Sequence, residues 1–168
     1  MPDQERARET EDLLRRGAGT YRAYLTAVVL HGQAAADVLG QNPTDLYALN
    51  VLELAGPLTT GALAERIGLT QSATTRLVDR LEKAGRLRRA PDPADRRRVV
   101  VESVPVPAEE DEQAFGAARR RMAEVFGGFD PDELRVLFRY FEAAAPALRE
   151  ATAETKGVPP TGGAEVSR

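Results

Sequence analysis

Residues 63–85, LAERIGLTQSATTRLVDRLEKAG, decide the fold. Gly68 breaks a short apolar-periodic run and supplies a turn, and Thr70 stands where a side-chain oxygen can cap the free amides opening a second run. In that second run Leu77, Leu81 and Ala84 recur at spacings of three and four, so they are predicted to point inward. Leu63, Ile67, Leu69 and Leu77 would fill a shared core, and the small Ala64 lets the two helices cross closely. Two short helices joined by such a turn make a helix-turn-helix.

Working outward, NPTDLYALNVLELAG (42–56) reads as a preceding helix. Thr44 is its expected cap, Leu46, Leu49 and Leu52 with Val51 its apolar stripe, and Gly56-Pro57 its stop. Thr59 or Thr60 would cap the next one. Residues 5–38 read as one long helix, with Tyr21, Tyr24, Leu25, Val28, Ala35 and Leu39 along one side and Gly40 and Pro43 ending it. Downstream, RLRRA (86–90) and RRVVVESV (97–104) read as strands joined by PDPAD (91–95), closed by Pro105 and Pro107.

The spacing then predicts a helix over 108–126, with Phe115, Ala118, Met122, Val125 and Phe126 on one side. A last helix opens on an Asp130 cap with Pro131 in its first turn. The expected fold is mainly α with a small β-hairpin wing. Residues 44–104 form the winged helix-turn-helix, 5–40 and 108–152 a helical dimerisation region, and 153–168 a disordered tail.

Composition removes several kinds of chemistry. The chain has no cysteine and a single histidine, His31, so thiol nucleophiles, thiolate metal sites and multi-histidine metal sites are excluded. A hydrolytic triad needs a base, and His31 has no nucleophile pattern beside it; neither catalysis nor a cofactor is expected. The opening MPDQERARETEDLLRR has no apolar signal core and no run approaches the length of a membrane span, so a cytoplasmic location with no membrane partner is expected. Net charge is −3, but residues 66–98 carry ten basic side chains against four acidic ones, a local +6 that leaves −9 for the rest. A basic segment in an acidic chain suggests one face that meets a polyanion, the alternative being a solvated charged face; taken with the helix-turn-helix and the wing it points to double-stranded DNA.

On the second helix of the pair, Gln71, Ser72, Thr74, Thr75 and Arg76 are the candidate reading residues. They supply amide, hydroxyl and guanidinium groups, able to bond base edges or phosphates, with no carboxylate in the first turn. The hairpin tip adds Asp95, Arg96, Arg97 and Arg98.

Together, LAERIGLTQSATTRLVDRLEKAG and PDPADRRRVVV resemble the multiple-antibiotic-resistance regulator (MarR) family of winged-helix transcriptional regulators, and the likeness extends to the layout over roughly 11–151. The resemblance implies a homodimer, most often a repressor, on a pseudo-palindromic operator, with each recognition helix in a major groove and each wing tip over a minor groove. By the family pattern Arg97, two positions after Asp95, enters the narrow groove, where a cation gains from the deepened negative potential and the adjacent carboxylate can hold its guanidinium. Arg96 and Arg98, alternating with it on the hairpin, would meet phosphates or Asp92. The resemblance also implies a small aromatic or phenolic effector. Thr75 and Arg89 match ligand-contacting positions, and the helix-face reading adds Tyr24, His31 and Tyr47 to the candidate pocket. The chain departs from the family at VESVPVP, where a Leu-Thr pair leading into the next helix is usual. A second reading stays open: a winged helix serving as a protein-interaction module without DNA.

Overall fold

Proline and glycine set most boundaries in the computed structural model, which describes residues 2–157. Helix α1 spans Pro2–Val38, α2 Pro43–Ala55, α3 Thr60–Ile67 and α4 Gln71–Lys83. Strands β1 (Leu87–Pro91) and β2 (Val99–Ser103) pair antiparallel, with Arg89 opposite Val101. Then come α5 (Ala108–Asp111), a π turn (Glu112–Gly116), α6 (Ala117–Phe126) and α7 (Pro131–Thr155). The chain divides into two compact units at Gly116/Ala117.

Caps explain where the helices begin. The Thr59 hydroxyl accepts the Ala62 amide at 3.2 Å and the Thr70 hydroxyl that of Ala73 at 3.3 Å, as expected. Thr44 is not the cap of α2. Pro43 occupies the first helical position, where its missing N–H costs nothing, so the cap moves back to Asn42, whose side-chain Oδ1 accepts the Asp45 amide at 3.1 Å. Gly68 adopts the left-handed conformation (φ 66°), and its amide returns to the Ala64 carbonyl. Asp130 and Glu133 form a reciprocal capping box on α7.

The core of the first unit gathers Leu49 and Leu52 of α2, Leu63 of α3, Leu77, Val78 and Leu81 of α4, and Leu87 and Val101 of the hairpin. Burying four or more large aliphatic side chains at roughly 1.5–3 kcal/mol each is what holds the short helices together. Ala84 was expected to share this core; it is exposed, because it is the C-terminal cap of α4 and the chain leaves through Gly85 (φ 69°). Thr74 and Val78 take the inner places instead, so the buried face of α4 runs 74, 77, 78, 81. Leu58 adds a pair of backbone bonds to β2, its amide to the Val101 carbonyl at 3.1 Å and the reverse at 2.7 Å. A smaller cluster packs Ala35, Ala36 and Leu39 of α1 on Leu46 and on Ala114 of the π turn.

Two spans differ from expectation. The 108–126 run is not one regular helix but is widened at 112–116, where Ala114 and Gly116 are buried. Residues 153–155 of the expected tail belong to α7, while 158–168 lie outside the described residues.

Asp45 is buried in the apolar face of α2, and Arg80 of α4 reaches it with both arms, Nε to Oδ2 at 2.8 Å and Nη2 to Oδ1. The hydrogen bond to Asp45 raises the Arg80 pKa above its already high ordinary value, partly opposed by burial. A raised value on a cation adds stability below it and loses that stability only as pH climbs past it, so the Arg80 side of this pair stays charged through acid and neutral solution. Arg80→Ala strands a buried carboxylate and is expected to destabilise the fold by about 2–3 kcal/mol, below the full cost of breaking a buried pair because Arg80 is half in water. A lowered urea midpoint at constant slope is the readout.

Candidate DNA-reading face

The buried stripe of α4 turns the opposite face of that helix outward, exposing Gln71, Ser72, Thr75, Arg76, Asp79 and Lys83. No acidic residue lies in its first turn. The Ser72 hydroxyl lies 3.3 Å from that of Thr70, and the Thr75 hydroxyl donates to the Gln71 carbonyl at 3.0 Å. Thr74 does not belong to this face. It is fully buried, and its hydroxyl donates to the Thr70 carbonyl at 3.0 Å, so it serves the core and the first turn.

The wing tip is a built turn. Asp92 Oδ1 accepts the Ala94 amide at 2.9 Å, Asp95 Oδ1 accepts the Arg97 amide at 3.1 Å, and the Arg98 amide donates to the Asp95 carbonyl at 2.9 Å. Asp95 therefore shapes the backbone at Arg97; contrary to the expectation, it does not hold the Arg97 guanidinium. Arg96, Arg97 and Arg98 lie in the loop before β2, so strand alternation does not sort them. Arg98 Nε sits 4.0 Å from Asp92 Oδ2, at the outer limit of an ion pair.

The ten cations of 66–98 separate into two groups. Arg80 pairs with Asp45, Arg86 with Glu110, Arg88 with Glu102, Arg89 with Asp79 and Glu82, and Arg98 with Asp92. Among the described residues, the side chains of Arg66, Arg76, Lys83, Arg96 and Arg97 have no protein partner, and all five are exposed. The unspent positive charge thus stands on α3, on α4 and at the wing tip.

The five candidate pocket residues have separate local settings. His31 meets the Phe115 ring edge-on at 6.2 Å between centroids. Tyr47 is half-exposed, its hydroxyl beside Gly32, and Tyr24 is half-exposed on α1. Thr75 is occupied as above. Arg89 bonds Asp79 through Nη2 at 2.6 Å and Glu82 through Nη1; the Asp79 bond is the main cause of its raised pKa.

Comparison with known proteins follows the same lines. The MarR family model matches residues 39–98. The HTH-type transcriptional regulator YcgE of Bacillus subtilis is 38% identical over 130 residues, covering 77% of this chain and 84% of that one. The chain belongs to the MarR family. Among solved structures, a MarR family protein from Bacillus stearothermophilus superposes with a TM-score of 0.55 at 26% identity, over 86% of this chain and 96% of the other. RV1404 from Mycobacterium tuberculosis gives 0.58 at 26% identity, over 81% and 92%. As a MarR member the protein is a DNA-binding, winged helix-turn-helix transcriptional regulator, in a family of regulators and not of enzymes. No helix among the described residues is long and apolar enough to cross a membrane.

Sequence reasoning missed Asp45, though an aspartate at the edge of an otherwise apolar α2 stripe was a visible anomaly. It missed both partners of Arg89 as well; the three-residue spacing of Asp79 and Glu82 puts the two carboxylates on one side of α4. If the exposed face reads bases, Arg76→Ala will relax preference at one base position, by about 1–3 kcal/mol for a good base-edge contact, while Thr74→Val lowers stability and leaves the preferred sequence unchanged. Sequencing of duplexes selected by each variant measures both.

Proposed function

We propose that the protein acts as a homodimeric repressor on a pseudo-palindromic operator, with α4 of each copy in a major groove and Arg97 of each wing in the neighbouring minor groove. The observation that carries this is the sorting of charge: internal partners absorb half the cations of 66–98, and those left over flank the exposed face of α4 and cap the wing. The Asx turn at Asp95 supports the role of Arg97, because a backbone fixed at that residue limits the directions its guanidinium can take.

A second copy accounts for the exposed apolar side chains of α1. Leu13, Leu14, Tyr21, Tyr24, Leu25 and Val28 are each more than a third exposed, a stripe that monomeric proteins rarely present to water. The helices of 5–40 and 108–152 are the dimerisation region of this reading. A small aromatic effector that releases the operator would sit beside Tyr24, His31 and Tyr47, where Phe115 already offers a ring. Thr75 and Arg89 would join it only by giving up the Gln71 carbonyl and the Asp79 and Glu82 carboxylates.

Selection from a random duplex pool is expected to return an inverted repeat with half-sites about one helical turn apart. Affinity for that duplex should fall by about 0.9 log units per tenfold salt for each phosphate neutralised. No enriched sequence, or an affinity flat in salt, would overturn the reading. Arg97→Ala is expected to weaken operator binding by roughly 1–3 kcal/mol, with an unchanged gel-shift titration excluding the groove role. Sedimentation equilibrium should give twice the chain mass.

A further inference from the structure

The two arginines of β1 are used differently. Arg88 is mostly exposed and pairs with Glu102, its neighbour across the hairpin, so its bond stays within the wing. Arg89 lies at the surface, with about a third of its side chain in water, and its guanidinium leaves the wing altogether. Its Nη2 holds Asp79 at 2.6 Å and its Nη1 holds Glu82, two carboxylates one turn apart on the C-terminal half of α4. The backbone beneath it is equally fixed. Arg89 lies opposite Val101, which is fully buried and doubly bonded to Leu58. One side chain therefore ties the element carrying the wing-tip cations to the element carrying Gln71, Ser72, Thr75 and Arg76.

We propose that Arg89 is a positioning residue for DNA reading: by clamping Asp79 and Glu82 from β1, it sets the angle between the wing and α4 and so lets both engage one half-site together. This rests on the DNA-binding reading above. The chemistry suits the task, since a planar guanidinium presents donors on two separate nitrogens and can serve two carboxylates at once, whereas an ammonium is a point charge. The clamp also neutralises Asp79, which stands one turn after Arg76 on the exposed face and would otherwise repel phosphate.

The double variant Asp79→Asn with Glu82→Gln separates geometry from charge, because the two give opposite signs. It removes two negative charges near the reading face, so a purely electrostatic role for the trio predicts tighter binding to every duplex. Positioning predicts a drop of about tenfold or more in the ratio of operator to mixed-sequence affinity at matched salt. Arg89→Lys keeps the charge, loses the two-armed grip, and should show the same drop. In a hydroxyl-radical footprint the wing's protections should fade before those of α4.

A ratio unchanged within twofold in both variants overturns the proposal, as does tighter operator binding. So does a variant that only lowers the thermal midpoint while the ratio holds at temperatures where it is folded. If Arg89→Ala instead weakens operator and mixed duplex equally and lowers the salt slope by about one, Arg89 is a phosphate contact and not a clamp. Should the double variant fail to fold, Arg89→Lys alone decides. A native chain that binds no duplex at all marks failure of the DNA-binding reading itself, a separate outcome.

Discussion

Burial of one narrow face of α4 governs the rest of the molecule. Thr74, Leu77, Val78 and Leu81 lock against α2, α3 and the hairpin, and a helix held along one stripe has no freedom to rotate. The outward direction of Gln71, Ser72, Thr75 and Arg76 is thus decided by residues that never touch a ligand. The Asp45–Arg80 pair fixes the same helix from another side by an ionic contact, tying its later turns to the start of α2. Hydrophobic contact supplies the energy here, and the buried carboxylate adds a requirement of register.

Electrostatics is sorted on that frame. A count of charges along 66–98 shows only an excess of arginine. The fold divides it, spending some guanidinium groups on joints among α2, α4, the hairpin and α5 and leaving others in water. The acidic overall balance does not oppose a polyanion partner, because what such a partner meets is the residual charge of one face.

Most of the architecture was legible because it is written in strong local signals. Gly68, Thr59, Thr70, Asp130 and the alternation of helical apolar spacing with a proline-rich turn each have one dominant structural meaning. The misreadings occurred where two signals competed. Pro43 at the first helical position displaced the cap from Thr44 to Asn42, and Gly85 carried Ala84 out of the core. The π turn at 112–116 was invisible because widening leaves the apolar spacing nearly helical, and Thr74 was indistinguishable from Thr75 by type alone. Partners far apart in sequence, such as Asp45 with Arg80, could not be read from spacing at all. The candidate reading face was legible as a set of residues on one helix, but its internal wiring was not.

The bridge between Leu58 and Val101 has a mechanical meaning. Leu58 immediately precedes Thr59, the cap of α3, and Val101 lies in the middle of β2, so the hairpin and the start of α3 are coupled through two main-chain hydrogen bonds. A force applied at the wing tip thus reaches α3 along main-chain hydrogen bonds as well as through the shared core. Ordinary side-chain replacement cannot cut that route, and an alanine scan would pass over it in silence. Only proline, which deletes the donor itself, would remove one of the two bonds.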